Sequence, residues 1–269
     1  QRDTLKENKV RKKQLKKANK KNEKPKKVKP QWKLTELDYG VFGEMVMNLD
    51  ISPDGRSIVY PKFRYGKNQS MIFDIILIDI KTKKKTLLTS SMRANYPKFS
   101  PDGEKILFVA HKNSTTDLYV MNVNGQDIKK LTTNDFDTQI ITPFWSPDGE
   151  EIVFAESGAD GNLDLYIMQI ESGEKTQITN SREGDFLPIW HPIGDKISFT
   201  GLYDYTPNLF TYDIETGGIV QNTDIGDAVM GIQWNSKTST ITAMTLPTVD
   251  SSRVVSIDPK RIATKNQLN

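Results

Sequence analysis

The tetrapeptide SPDG occurs three times, at residues 52–55, 100–103 and 146–149, each time just before a short apolar run: RSIVY, EKILFVA and EEIVFA. A weaker form continues as HPIG from His191 and NSKT from Asn235, so the first residues of the five turns are spaced 48, 46, 45 and 44 apart. A fixed period of this size is the signature of a repeat architecture, in which one supersecondary unit is copied and neighbouring copies bury each other's apolar surface.

Each unit divides into the same pieces. A short strand ends in an apolar or aromatic residue before the turn, as in NLDI, YPKF, TPFW, LPIW and GIQW. Ser52, Ser100 and Ser146 open the turns. Pro53, Pro101 and Pro147 preset φ, while Asp54, Asp102 and Asp148 can bond their own backbone. Gly55, Gly103 and Gly149 accept the positive φ that closes a tight bend. A second strand follows, then a polar loop and a third strand, DIILIDI, DLYVMNV, DLYIMQI or NLFTYDI. Another turn leads to a short last strand near threonine, as in TLLTSS, KKLTTN and TQITN.

The central strands ILFVA, LYVM and LYIM are apolar at consecutive positions, the pattern of a sheet covered on both faces. A sandwich with one solvated face per sheet alternates instead. The reading is therefore an all-β chain, a β-propeller of four-stranded blades with units near 46–91, 92–137, 138–183, 184–227 and 228–262. The propeller domain spans 32–269, with residues 32–46 supplying one strand or an entry segment, and a Lys-rich linker, disordered or helical, occupies 1–31.

That linker differs in kind from the rest. Residues 1–30 carry 14 Lys or Arg against three acids, a balance of +11. The other 23 basic and 31 acidic residues, a balance of -8, follow it. Leu5, Val10, Leu15 and Ala18 do not recur at helical spacing, so the segment builds no core. It reads as a tether. A polyanion contact is the weaker alternative, since no aromatic stands ready to stack on a base before Trp32 and specific nucleic-acid binding is not indicated. No apolar stretch reaches the length of a transmembrane helix.

An aromatic before SPDG, an apolar strand after it, a DLYVM-type strand and an LTxN-type outer strand together resemble the TolB-like family of β-propeller repeats. The units of Asp102 and Asp148 carry the resemblance fully, that of Asp54 well, and the last two in damaged form, over residues 46–258. The family usually closes six blades. Five units leave the ring five-bladed, closed by a composite blade, or open, and the start at Gln1 favours an incomplete ring cut from a longer protein with further domains. The resemblance implies three kinds of role: a periplasmic binding protein of the Tol-Pal envelope system, the lid of a prolyl-oligopeptidase-like serine peptidase, or an accessory domain behind a metallopeptidase. The expected function is a non-catalytic propeller that binds a protein or peptide partner, in the periplasm or cell envelope. The alternative is the gating or substrate-selecting domain of a peptidase whose catalytic part lies outside this chain.

Motifs for chemistry are missing from the sequence. There is no cysteine, no GxSxG elbow, no HExxH and no GxxxxGK or GxGxxG phosphate cradle. Of the two histidines, His111 opens a loop and His191 replaces the serine of a turn. Catalytic and metal-binding residues are therefore expected to be none, and no cofactor is implied. Asp160, Asn162, Asp164 and Glu171 have the spacing of a calcium loop, but Leu165 stands where that loop needs glycine. The three SPDG aspartates sit in separate blades and cannot pair. Tyr119 and Tyr166 read as packing residues. Binding is expected on the segments that join blades, through Arg93, Asn95, Asp135, Asp137, Arg182, Asp185, Phe186 and Asp227. Their acidic majority suits a cationic peptide or a divalent ion at a channel mouth.

Overall fold

In the first unit, strand β1 (Asp50–Ile51) bends through the SPDG turn into β2 (Ser57–Tyr65), followed by β3 (Met71–Asp79) and β4 (Lys85–Leu87). The computed structural model describes residues 48–65, 71–112, 114–135, 137–157, 161–203, 205–235, 239–248, 251–258 and 267–268. The linker and the entry segment lie outside them. The second unit comprises β5 (Ala94–Phe99), β6 (Lys105–Lys112), β7 (Thr115–Asn122) and β8 (Lys129–Lys130). The third comprises β9 (Ile140–Trp145), β10 (Glu151–Ser157), β11 (Leu163–Gln169) and β12 (Lys175–Gln177). The fourth comprises β13 (Asp185–Trp190), β14 (Lys196–Tyr203), β15 (Thr206–Asp213) and β16 (Ile219–Gln221). Then come β17 (Ala228–Asn235), β18 (Thr240–Thr248), β19 (Ser251–Ile257) and β20 (Gln267–Leu268). Each unit is an antiparallel meander and a separate sheet, giving a five-bladed β-propeller. The fifth sheet holds β17–β19, while β20 pairs with β16 on the outer edge of the fourth.

The SPDG turns are small hydrogen-bonded knots. Gly55, Gly103 and Gly149 donate their N–H groups to the carbonyls of Ser52, Ser100 and Ser146 at 2.8, 2.9 and 3.0 Å. The serine hydroxyl donates to the aspartate at 2.6, 2.5 and 2.5 Å, and the same carboxylate accepts a backbone N–H two residues on. The glycines take φ of 70, 76 and 78°, where a side chain is strained. At the fourth turn His191 keeps the bend, and its Nδ1 meets Asp195 at 2.5 Å in place of the serine–aspartate bond.

These turns also touch one another. A Cβ on Gly103 would lie 3.4 Å from Pro53 Cδ, on Gly149 3.5 Å from Pro101 Cδ, and on Gly194 3.9 Å from Pro147 Cδ. The glycines of the second, third and fourth turns thus sit beside the proline of the turn before.

A second device joins the third strand to the segment beyond the outer strand. Thr89 donates its hydroxyl to Asp74 at 3.0 Å, Thr132 to Asp117 at 3.0 Å and Thr223 to Asn208 at 2.9 Å. The same oxygens accept the N–H groups of Ile75, Leu118 and Leu209, as Thr179 does from Leu165. Asp74, Asp117 and Asp164 then accept N–H groups of the outgoing loop from Ser91, Asn134 and Ser181. Such buried carboxylates survive because their lone pairs are filled.

The core lies between blades. β5 covers β2 and β3, β9 covers β6 and β7, β13 covers β10 and β11, and β17 covers β14 and β15. Consecutive positions Ile106–Ala110 and Ile152–Glu156 are buried as a result. Tyr119 stacks on Phe108 and Tyr166 on Phe154, so both tyrosines pack within their blades. Among the described residues, no strand of the first sheet packs on the fifth.

Candidate functional site

The inner strands converge on one axis, and counting back from each turn identifies what lines it. Four residues before the turn stand Asn48, Tyr96, Thr142, Leu187 and Gly231, all with left-handed φ, at 62, 52, 50, 55 and 60°. Four of the five fall where the register of the inner strand shifts, between residues 95 and 98, 141 and 144, 186 and 189, and 230 and 233. A left-handed residue in a strand makes a bulge that re-aims its side chain. Thr142, β-branched, adopts it only because its surroundings impose it.

These five residues line a cavity of about 310 Å³ on the side where blade-connecting segments emerge. On the SPDG side lies a second cavity of about 290 Å³, walled by Phe99, Trp145, Trp190 and Trp234 and by Pro53, Pro101, Pro147 and Pro192. Of the residues two before each turn, Phe144, Ile189 and Gln233 line both cavities, Asp50 only the turn-side one and Lys98 only the other. Lys98 Nζ lies 3.5 Å from Asp50 and 5.1 Å from the Phe144 ring centroid, so its charge is held across three blades. Asp50 also accepts the Phe99 N–H at 2.8 Å, and Trp145 donates its indole N–H to the Lys98 carbonyl at 3.1 Å. The turn-side wall is thus mostly apolar, whereas the other cavity mixes apolar groups with Asn48, Tyr96, Lys98, Thr142 and Gln233.

The residues expected at the channel mouth fall in several places. Arg93, Asp135, Asp137 and Arg182 are exposed on the connecting segments, and Asp227 is half-buried there. Asn95 reaches the cavity wall, accepting from Asn48 at 3.3 Å and from the Tyr96 N–H at 2.8 Å. Phe186 packs instead with Ala155, Leu165, Phe199 and Phe210 between the third and fourth blades.

Asp185 is wholly buried in the same seam, at the position that Ala94, Ile140 and Val229 hold in other blades. Neither of its carboxylate oxygens has a well-formed hydrogen bond. Burial pushes its pKa up to about 6; the Thr179 and Ser181 hydroxyls moderate the shift and the Asp164 charge adds to it.

Residues 163–169 form strand β11 and Asp164 belongs to the threonine clasp, which leaves the calcium spacing without a loop; Asp160 lies outside the described residues. Among the described residues no three acidic or histidine side chains are grouped to hold a metal ion. The residues that line the axis were not singled out from sequence, because their types share nothing. Their distance from the turn is the signal that finds them.

The family model described as the TolB beta propeller domain matches residues 41–155 and 133–266. The chain belongs to the TolB β-propeller family. This TolB-like propeller is 28% identical over 155 residues to the uncharacterized protein Atu1656 of Agrobacterium fabrum, covering 57% of this chain and 50% of that one. It is 28% identical over 195 residues to the Tol-Pal system protein TolB of Francisella tularensis, covering 55% and 43%. It is 30% identical over 117 residues to the uncharacterized peptidase YuxL of Bacillus subtilis, covering 42% and 18%. The chain thus spans half or less of the length of these relatives. Among solved structures, a putative TolB from Agrobacterium tumefaciens superposes with a TM-score of 0.68 at 18% identity, covering 80% of this chain and 77% of that one. A puromycin hydrolase superposes at 0.62 and 16%, covering 79% and 36%. Identities this low establish the fold alone.

Proposed function

We propose that this TolB-like propeller is a non-catalytic binding module of a larger bacterial cell-envelope protein, and that it receives a protein or peptide segment in its axial channel. The observation that carries the reading is the cavity itself: five inner segments each pass through a left-handed residue at the same distance before the turn and line one space. The segments bearing Arg93, Asn95, Asp135, Asp137, Arg182 and Asp227 surround its entrance and supply the polar rim. The likeness to the Tol-Pal system protein TolB supports a periplasmic or envelope location.

The test is selection of a random-peptide phage library on the purified chain, followed by affinity measurement of the enriched peptides. Leu187→Trp, which fills the cavity from its wall, should weaken them about tenfold or more, a loss of roughly 1.4 kcal/mol. Failure to enrich any peptide, or equal binding by the variant, overturns the reading.

The 30% identity to a peptidase favours a second reading, the gating domain of a hydrolase. A GxSxG or HExxH domain encoded beside this propeller would decide for it.

A further inference from the structure

The opposite end of the channel has a different composition. Its rim is built by the turns, whose prolines Pro53, Pro101, Pro147 and Pro192 are all exposed, with Ile51 53% exposed beside them. Phe99, Trp145 and Trp190 are buried beneath as a rigid floor. Exposed apolar groups gathered around one concavity, unlike scattered ones, mark an interaction site.

Charge surrounds this crown. The second and third turns, 100–105 and 146–151, hold five carboxylates and one cation, whereas the first pairs Asp54 with Arg56 and lies beside the exposed Lys81, Lys83, Lys84 and Lys85 of the β3–β4 turn. Asp54, Asp102 and Asp148 are held below the usual carboxylate range, chiefly by their serine hydroxyls and then by backbone N–H groups. They stay ionised at any physiological pH, because the bonds that form the turn also stabilise the charge. An apolar, proline-lined bowl with an acidic arc along its second and third turns attracts cations to that arc and rewards burial of apolar groups at its centre. Neither feature alone specifies a partner. Together they favour a segment carrying both kinds of side chain.

We propose that the turn face is a second binding surface, which takes an extended peptide bearing lysine or arginine beside proline and apolar residues. The inference rests on the reading of the chain as a binding propeller and adds the partner's chemistry and the face it uses. Apolar side chains of the peptide sit among Ile51 and the turn prolines, and its cations meet Asp102, Glu104, Asp148 and Glu150.

Fluorescence anisotropy with labelled KLPKLPKLPK and ELPELPELPE tests it on the full chain. The basic peptide should bind and the acidic one should bind at least about tenfold more weakly. Ile51→Arg, at an exposed position that the fold tolerates, should weaken the basic peptide about tenfold. Glu104→Lys combined with Glu150→Lys should weaken it several-fold and flatten its salt dependence. Leu187→Trp should leave it unchanged. Equal binding of the two peptides, no binding of either, or indifference to Ile51→Arg overturns the proposal. Loss with Leu187→Trp but not with Ile51→Arg overturns it too, while leaving the channel-binding reading in place.

Discussion

The third and fifth blades share a meander of three antiparallel strands and the same inner-strand bulge, yet they are buried differently. In the third, β10 is covered on both sides: Ile152 and Phe154 pack with Leu107, Leu118 and Trp145 of the second and third blades, and Val153 with Trp190 and Ile197 of the fourth. In the fifth, Ile241 and Ala243 face the fourth blade, whereas Met244 and Leu246 on the other face are 38% and 36% exposed and Val254 is 80% exposed. The strand itself does not make the difference. A blade acquires its second apolar interface only when the inner strand of a following blade lies across it, and among the described residues nothing does so for β18 and β19. Blade identity is local, whereas blade stability belongs to pairs of neighbours, as in repeat proteins generally.

The largest effect that tests this contrast is at Phe154, fully buried and stacked on Tyr166. Phe154→Ala should destabilise by about 3–5 kcal/mol in urea denaturation, through lost transfer energy and a cavity. A loss below about 1 kcal/mol would mean that the seams are not the core.

Asp185 sharpens the comparison from the opposite direction, since the fifth blade has Val229 at its place. A native pKa near 6 against 3.8 unfolded penalises the fold when the group is ionised. Stability attributable to this group is greatest below about pH 4 and is lost as pH rises through 6. Asp185→Val should therefore stabilise at pH 7.5 by about 2–3 kcal/mol, and the advantage should shrink toward zero at pH 4. Melting curves of both proteins across that window check the sign; a pH-independent difference would refute the titration.

Gly149, at φ 78° and close to Pro101, comes next. Gly149→Ala should cost about 1–2 kcal/mol from left-handed strain, measurable as a lower denaturation midpoint. Met244→Ala, on the open face, should cost the least, under about 1 kcal/mol. A cost there equal to that of Phe154→Ala would show that the face is covered and break the comparison.

Much of the fold was legible because its punctuation is local. Pro53, Asp54 and Gly55 specify a bend through φ limits and a side-chain bond, whatever surrounds them. The consecutive burial read from ILFVA is found at Ile106–Ala110. What could not be read was the use of the repeated residues beyond their own unit. The contact of Gly103 with Pro53 spans a whole blade, and the threonine clasp joins residues 14 and 15 apart. Asp185 looks like a loop acid by connectivity, but it is the first residue of β13 and turns into a seam.

By itself, then, the sequence determined the period, the bends and the strand faces, since these follow from short-range sterics and side-chain patterning. Tertiary structure alone decided which side chains reach the axis. Asn48, Tyr96, Thr142, Leu187 and Gly231 share no chemistry. They line one cavity because each takes a left-handed backbone at the same place before its turn, a conformation that the four non-glycine side chains among them do not favour on their own.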